Sequence, residues 1–77
     1  MASFGTAPNQ LLSTVVRMTR ERYPDLSSAA LVEAVMGCLD VSGQRRADAQ
    51  SFVEALLLHG TAANGDGFVR VVPGWDG

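Results

Sequence analysis

Apolar residues in the first third of the chain follow the spacing of an amphipathic helix. They recur three and four residues apart and therefore line one helix face; they are Leu11, Leu12, Val15, Val16 and Met18. Pro24 ends this stretch, because the residue before a proline avoids the helical conformation. The pattern predicts a first helix over residues 9–22.

A second apolar stripe follows a clear helix start. Ser27 or Ser28 can accept a hydrogen bond from the first turn of a helix, and Asp25 suits the positive end of the helix dipole. The stripe has the spacing of one helix face and consists of Leu31, Val32, Val35, Met36 and Leu39. The pattern predicts a second helix over residues 27–39.

The third apolar stripe lies between two turn signals. Ser42 and Gly43 favour a turn, which makes residues 41–46 a connector, and Gly60 is placed to cap the end of a helix. Between them the stripe consists of Ala49, Phe52, Val53, Leu56 and Leu57. We predict a third helix over residues 47–59.

After the helices, the pattern changes to that of a strand. A loop over residues 61–67 contains turn dipeptides, and residues 68–72 are β-branched and aromatic except for one arginine. Because such an apolar segment is unfavourable in water, we expect it to fold back onto the helices. It would pair with a segment around Ser3 and Phe4 or near Val41, or offer its edge to a partner.

These elements predict a mainly α fold, a compact three-helix bundle with a short C-terminal β-strand. Seventy-seven residues suffice for one domain, and an apolar fraction of 47% suffices for a core. We expect residues 1–8 to be a flexible N-terminus or a remnant of cloning. Residues 9–60 would form the three-helix domain, and residues 61–77 a loop and strand packed on it.

The charge of the chain argues against a nucleic-acid partner. The net charge is −2, the pI is near 5.0 and the six basic residues are all arginine, whereas nucleic-acid-binding domains carry clustered basic residues. A winged helix would also fit three helices followed by a strand. Its recognition helix would carry Asp48 and Glu54, which DNA phosphates repel. We keep the winged-helix shape only as a protein-binding alternative.

Few residues in this chain suit catalysis or metal binding. Cys38 is the only cysteine and His59 the only histidine, so no catalytic triad and no set of metal ligands with the usual spacing is evident. No apolar run reaches the length of a membrane span. We expect no catalytic residue, no cofactor, no metal and no membrane association, and an intracellular location in the cytoplasm or the nucleus.

The chain contains more large apolar residues than three helix faces can bury. Met18, Tyr23, Met36 and Leu57 are the residues that we expect to remain exposed. Clustered exposed apolar residues mark an interaction site. We therefore expect a domain that binds another protein and is not an enzyme.

Two short motifs resemble a known family. Tyr23-Pro24 closes the first helix and Leu56-Leu57 lies near the end of the third; in both features the chain resembles the CUE and UBA ubiquitin-binding domains found in RING-type ubiquitin ligases. The resemblance covers residues 11–59 and implies a ubiquitin or ubiquitin-like partner within a larger ubiquitin-pathway protein. The partner-binding residues would be Met18, Tyr23, Pro24, Met36, Leu56 and Leu57.

The same surplus of apolar residues fits a second class of function. A helical interaction or self-association domain unrelated to ubiquitin would need only exposed Leu, Val and Met side chains. In that case, the C-terminal strand over residues 68–72 could join two copies of the chain by edge pairing. The two classes remain open at the level of the sequence.

Overall fold

The computed structural model describes residues 9–61 and 66–75, and this part of the chain is mainly helical. It contains three helices and one two-stranded sheet, in the order β1 (Asn9–Leu11), α1 (Leu12–Arg22), α2 (Ser28–Gly37), α3 (Gly43–His59) and β2 (Phe68–Arg70). The predicted three helices and the C-terminal strand are therefore present. The second strand, β1, was not predicted.

The first helix starts three residues later than predicted, because residues 9–11 form β1 instead of the first helical turn. β1 runs antiparallel to β2, with Gln10 opposite Val69 and Leu11 opposite Phe68. Leu11 has an extended backbone and precedes α1 directly. Local helix propensity is a weak preference that tertiary pairing overrides, and here the partner strand lies almost sixty residues away in the sequence.

A carboxylate from outside the helix caps the start of α1. The side chain of Leu11, the N-cap residue, cannot accept a hydrogen bond, whereas Asp66 Oδ1 accepts one from the backbone N–H of Ser13 at 3.0 Å. The hydroxyl of Ser13 donates to the other oxygen of the same carboxylate. Leu12 N–H donates to the carbonyl of Gly67 at 2.8 Å. Two of the N–H groups that a helix start leaves without a partner are thus satisfied by the segment that leads into β2.

The boundaries of the second and third helices also differ from the prediction. α2 begins after Ser27, whose hydroxyl accepts from Ala30 N–H as predicted, but it ends at Gly37. α3 begins at Gly43, so most of the predicted connector is helical. Residues 44–48 contain good helix formers, and Gln44 donates to Asp48 one turn later at 2.9 Å. α3 ends at His59 and is followed by Gly60, whose φ of 77° confirms the predicted cap.

β2 lies between two pairing partners. β1 pairs with it on one side, and on the other side Asp40 N–H donates to the carbonyl of Arg70 at 2.8 Å. Leu39 forms an isolated antiparallel bridge with Val71. The regular strand is shorter than the predicted 68–72. The predicted pairing with a segment near Val41 corresponds to the bridge between Leu39 and Val71. The alternative partner around Ser3 and Phe4 lies outside the described residues.

The core combines residues from every helix and from the C-terminal segment. The fully buried side chains are Val15 in α1, Val35 in α2, Val53 in α3 and Val71 after β2. Thr19 is also buried and donates its hydroxyl hydrogen bond to the carbonyl of Val15 at 2.8 Å. The C-terminal segment therefore folds back as expected, and its burial contributes directly to the stability of the bundle.

Candidate functional site

The two strands separate an inner from an outer sheet face. Successive side chains of a strand point to opposite faces. Val69 and Val71 lie on the inner face, where Val71 is fully buried and Val69 packs against the core. We call the opposite side the outer sheet face, and its side chains are those of Asn9, Leu11, Phe68 and Arg70.

The outer sheet face carries the most exposed large apolar side chain of the described residues. Phe68 is 67% exposed and Leu11, its cross-strand neighbour, is 38% exposed. Directly opposite residues of an antiparallel pair have Cβ atoms about 5 Å apart, so these two side chains form one apolar patch. Neither side chain is needed on this face to cover the core, because the core lies on the other side of the sheet.

A groove opens beside this patch, between β2 and the first half of α3. Its volume is about 460 Å³. We call it the α3 groove, and it is lined by Leu12, Val41, Arg45, Asp48, Ala49, Phe52, Gly67, Phe68 and Val69. Most of these residues are apolar, and Phe52 and Ala49 belong to the buried core. The α3 groove is therefore lined partly by apolar side chains of the buried core, and its charged residues belong to α3.

A second cavity of about 300 Å³ adjoins the α3 groove and is mostly polar. We call it the polar pocket, and it is lined by Asn9, Asp40, Val41, Ser42, Arg45 and Arg70. Val41 and Arg45 line both cavities, so the two are neighbours. An extended ligand could place an apolar group in one and a polar group in the other.

The cationic residues of the polar pocket are available for a ligand. Neither Arg45 nor Arg70 forms an ion pair or a side-chain hydrogen bond within the described residues, in contrast to Arg17, which lies 3.7 Å from Glu21. Asp40 is the acidic residue of this pocket. Asp48 lies in the α3 groove and accepts a hydrogen bond from Gln44.

The chemically reactive side chains lie outside both cavities. Cys38 is half-buried at the end of α2, and His59 is exposed at the end of α3. Across residues 9–61 and 66–75, no three histidine, cysteine or acidic side chains are grouped to hold a metal ion. The arrangement of the described residues suits the binding of an apolar side chain and a neighbouring polar group.

The residues predicted to bind a partner do not form one surface. Tyr23 is 47% exposed and Pro24 is exposed, both in the connection between α1 and α2, whereas Met18 and Leu56 are half-buried. Met36 and Leu57 are buried in the core, which corrects the expectation that they stay exposed. Both residues belong to the core cluster, and the helices that carry them, α2 and α3, pack against each other.

Sequence reasoning missed four exposed apolar residues, which are Leu11, Leu26, Leu58 and Phe68. Leu58 is 48% exposed although Leu57 is buried; three consecutive leucines in a helix cannot all face the core, since successive residues are about 100° apart. The sequence did contain a signal for the exposure of Phe68: residues two apart on a strand share a face, and Arg70 is a charged residue two positions after it. Nothing in the local pattern of Leu11 marked it as a strand residue.

Comparison with known proteins adds no relative: no family model, no curated protein and no solved structure matches this chain. None of the helices in the described part of the chain is long and apolar enough to cross a membrane.

Proposed function

We propose that this domain is a non-catalytic protein-interaction module that binds a segment of a partner protein in the α3 groove and against the outer sheet face. The observation that carries the proposal is the 67% exposure of Phe68 at the edge of an apolar groove. A large aromatic side chain left in water beside a groove with several apolar lining residues is typical of an anchor for a partner.

The shape of the site supports a protein segment as the ligand. The α3 groove and the polar pocket lie side by side. Their combined volume falls within the usual range of ligand-binding sites. An apolar centre next to a polar rim is the usual arrangement of protein interfaces. The Phe68 and Leu11 side chains would lose their remaining contact with water on binding, and this desolvation would provide the main driving force.

The test compares partner binding by three forms of the domain. Proteins retained from a cell extract by the wild type are identified, and each is purified and titrated against the wild type, Phe68→Ser and Tyr23→Ser. The proposal expects a purified partner whose affinity falls at least about tenfold for Phe68→Ser and stays unchanged for Tyr23→Ser. A partner that binds all three forms equally would contradict it.

A second candidate function is the binding of ubiquitin or a ubiquitin-like protein, and it rests on a different surface. Tyr23 and Leu26 are 47% and 39% exposed in the connection between α1 and α2, with Pro24 between them. We call these three residues the turn surface. They include the Tyr23-Pro24 motif in which the chain resembles CUE and UBA domains. Leu58 replaces Leu57 as the exposed leucine at the end of α3 in this proposal.

Titration with ubiquitin, followed by amide chemical shifts, tests this second function. Ubiquitin binding would shift the amides of Tyr23, Leu26 and Leu58 in a concentration-dependent way, and Tyr23→Ser would abolish the shifts while Phe68→Ser would not. The absence of shifts at millimolar ubiquitin would exclude this candidate. The proposal places the domain in the cytoplasm or nucleus, as a part of a larger ubiquitin-pathway protein with a CUE/UBA-like fold.

Self-association is a further part of the proposed interaction role. β2 pairs on both sides near Arg70, so within residues 9–61 and 66–75 the unpaired edge of the sheet belongs to β1 and not to the C-terminal strand. Two copies would therefore pair through β1, which is only three residues long. Light scattering over a range of concentrations tests this, and a mass that stays that of a monomer would contradict it.

A further inference from the structure

We propose that the segment bound in the α3 groove carries an acidic side chain next to its apolar anchor, and that the polar pocket binds this carboxylate through Arg45 and Arg70. The inference rests on the proposed function and specifies the kind of partner. The ligand would be an internal, extended stretch of another protein in which an aspartate or glutamate stands two residues after a large apolar residue, as Glu follows Leu in the probe peptide below.

The balance of charges in the polar pocket favours an anionic group. Two arginines, Arg45 and Arg70, face one carboxylate, Asp40, in a chain whose net charge is −2. Both guanidinium groups lack an ion-pair partner within the described residues. A carboxylate entering this pocket would meet an excess of positive charge and several unused donors, which makes charge-assisted hydrogen bonds available to it.

The position of the pocket determines where the carboxylate must stand in the ligand. Arg45 and Val41 line both cavities, so the apolar group and the anionic group of the ligand would bind next to each other. On the groove side, Asp48 is the acidic residue and Phe52, Ala49 and Leu12 provide apolar surface. One arginine and one aspartate line the groove, whereas two arginines and one aspartate line the pocket, so an acidic group is favoured in the pocket, which orients the ligand.

The position of Arg70 links this pocket to the outer sheet face. Arg70 is opposite Asn9 in the sheet and on the same face as Phe68, two residues earlier in β2. Residues two apart on a strand lie about 7 Å apart on one face, which matches the spacing of side chains two residues apart in an extended ligand. A ligand that covers Phe68 with its apolar residue can thus reach Arg70 with an acidic residue two positions later.

The experiment uses three peptides as probes and the isotope-labelled domain as the receptor. The first is acetyl-Ala-Leu-Phe-Glu-Ala-amide, the second has Gln in place of Glu, and the third is the Gln peptide with a free C-terminal carboxylate. The Glu peptide should bind about three- to tenfold more tightly than the Gln peptide, as expected for partly exposed ion pairs. Amide shifts should appear at residues 41–45 and 67–70.

Variants of the arginines separate the charge effect from the apolar one. Arg45→Gln and Arg70→Gln should each reduce the preference for Glu to below about twofold, whereas Arg46→Gln, an exposed neighbour that lines neither cavity, should preserve it. Raising the salt concentration to about 0.5 M should also reduce the preference. Equal loss in Arg46→Gln, or equal binding of the Glu and Gln peptides, would overturn the inference.

The remaining outcomes distinguish this inference from the proposed function. If both amidated peptides bind equally and Phe68→Ser abolishes both, the groove is an interaction site but the acidic specificity is wrong. If the peptide with the free terminal carboxylate binds more tightly than the Glu peptide, the pocket recognises a chain terminus and the commitment to an internal acidic side chain fails. If no peptide binds at millimolar concentration, both proposals fail.

Discussion

The outer sheet face and the turn surface both expose large apolar residues, but they are built in different ways. Phe68 and Leu11 lie next to a groove of about 460 Å³ whose walls come from α1, α3, the α2–α3 connection and the β2 segment. The turn surface comes from a single short connection, in which Leu26 N–H donates to the carbonyl of Tyr23 at 3.3 Å. Both surfaces therefore expose large apolar side chains, but only the outer sheet face lies beside the α3 groove.

This difference has a physical consequence for binding. Side chains held by a packed core lose little conformational freedom when a ligand arrives, so a site with a rigid floor binds more efficiently than a mobile one. The floor of the α3 groove includes Phe52, which is only 4% exposed. A change at the buried Phe52 should therefore affect both stability and binding, whereas a change at an exposed residue, such as Phe68 beside the groove or Tyr23 of the turn surface, should affect binding alone.

The largest effect is expected from removing the C-terminal segment. Deletion of residues 67–77 removes the fully buried Val71, the half-buried Trp75 and the pairing of β2 with β1. A domain of this size has a total stability of only about 4–12 kcal/mol. We expect the truncated chain to lose most of it, with a much lower melting temperature in circular dichroism. Full stability after truncation would mean that the segment is merely a tail.

The second prediction concerns the floor of the α3 groove. Phe52→Ala should lower the free energy of unfolding by about 3–5 kcal/mol, because it leaves a large cavity in the core. Urea unfolding measures the loss. Phe52→Leu, which keeps an apolar side chain of similar size, should cost less than about 2 kcal/mol and retain the fold. A loss below about 1 kcal/mol for Phe52→Ala would mean that Phe52 is not buried.

The third prediction compares two neighbouring leucines in α3. Leu57 is 8% exposed and Leu58 is 48% exposed. Leu57→Ala should cost about 2–4 kcal/mol, whereas Leu58→Ala should change the stability by less than about 0.5 kcal/mol. The two substitutions are chemically identical, so their ratio in urea unfolding reports burial directly. Equal losses would show that α3 is rotated relative to the core.

The fourth prediction concerns the capping of α1 by Asp66. Asp66→Ala removes the acceptor of the Ser13 N–H hydrogen bond and should cost about 1 kcal/mol, as helix caps do. Glu33→Ala is the control, because Glu33 is exposed in the interior of α2 and its loss should change stability by less than about 0.5 kcal/mol. Thermal unfolding of the two variants measures the difference. The same small change in both would show that α1 does not depend on this cap.

The smallest effect on stability is expected for substitutions of the exposed aromatic residues, and one of these should weaken partner binding strongly. Phe68→Ser and Tyr23→Ser both replace an exposed aromatic side chain, and each should change the free energy of unfolding by less than about 1 kcal/mol. Only Phe68→Ser should weaken binding to a partner in the α3 groove. A large loss of stability in Phe68→Ser would mean that Phe68 packs on the domain, and would contradict its role as an exposed binding residue.

Sequence alone determined the elements that depend on local periodicity. The apolar stripes of α2 and α3 contain most of the residues that are buried between Leu31 and Leu57, because a helix face is fixed by spacing within the helix. Met36 and Leu57 belong to these stripes, but we expected them to stay exposed. Ser27 and Gly60 predicted their caps for the same local reason. The apolar composition of residues 68–72 also predicted that the C-terminal segment would fold back.

The tertiary structure decided everything that depends on pairing between distant parts of the chain. Residues 9–11 became a strand because β2 offered a partner, although their own pattern continued a helix. The register of that pairing placed Phe68 and Leu11 on the outer face, since a shift by one residue would turn both toward the core. The α3 groove and its polar pocket are lined by residues that are distant in sequence, such as Arg45 of α3 and the β2 residues Phe68 and Arg70, and no local pattern contains that arrangement.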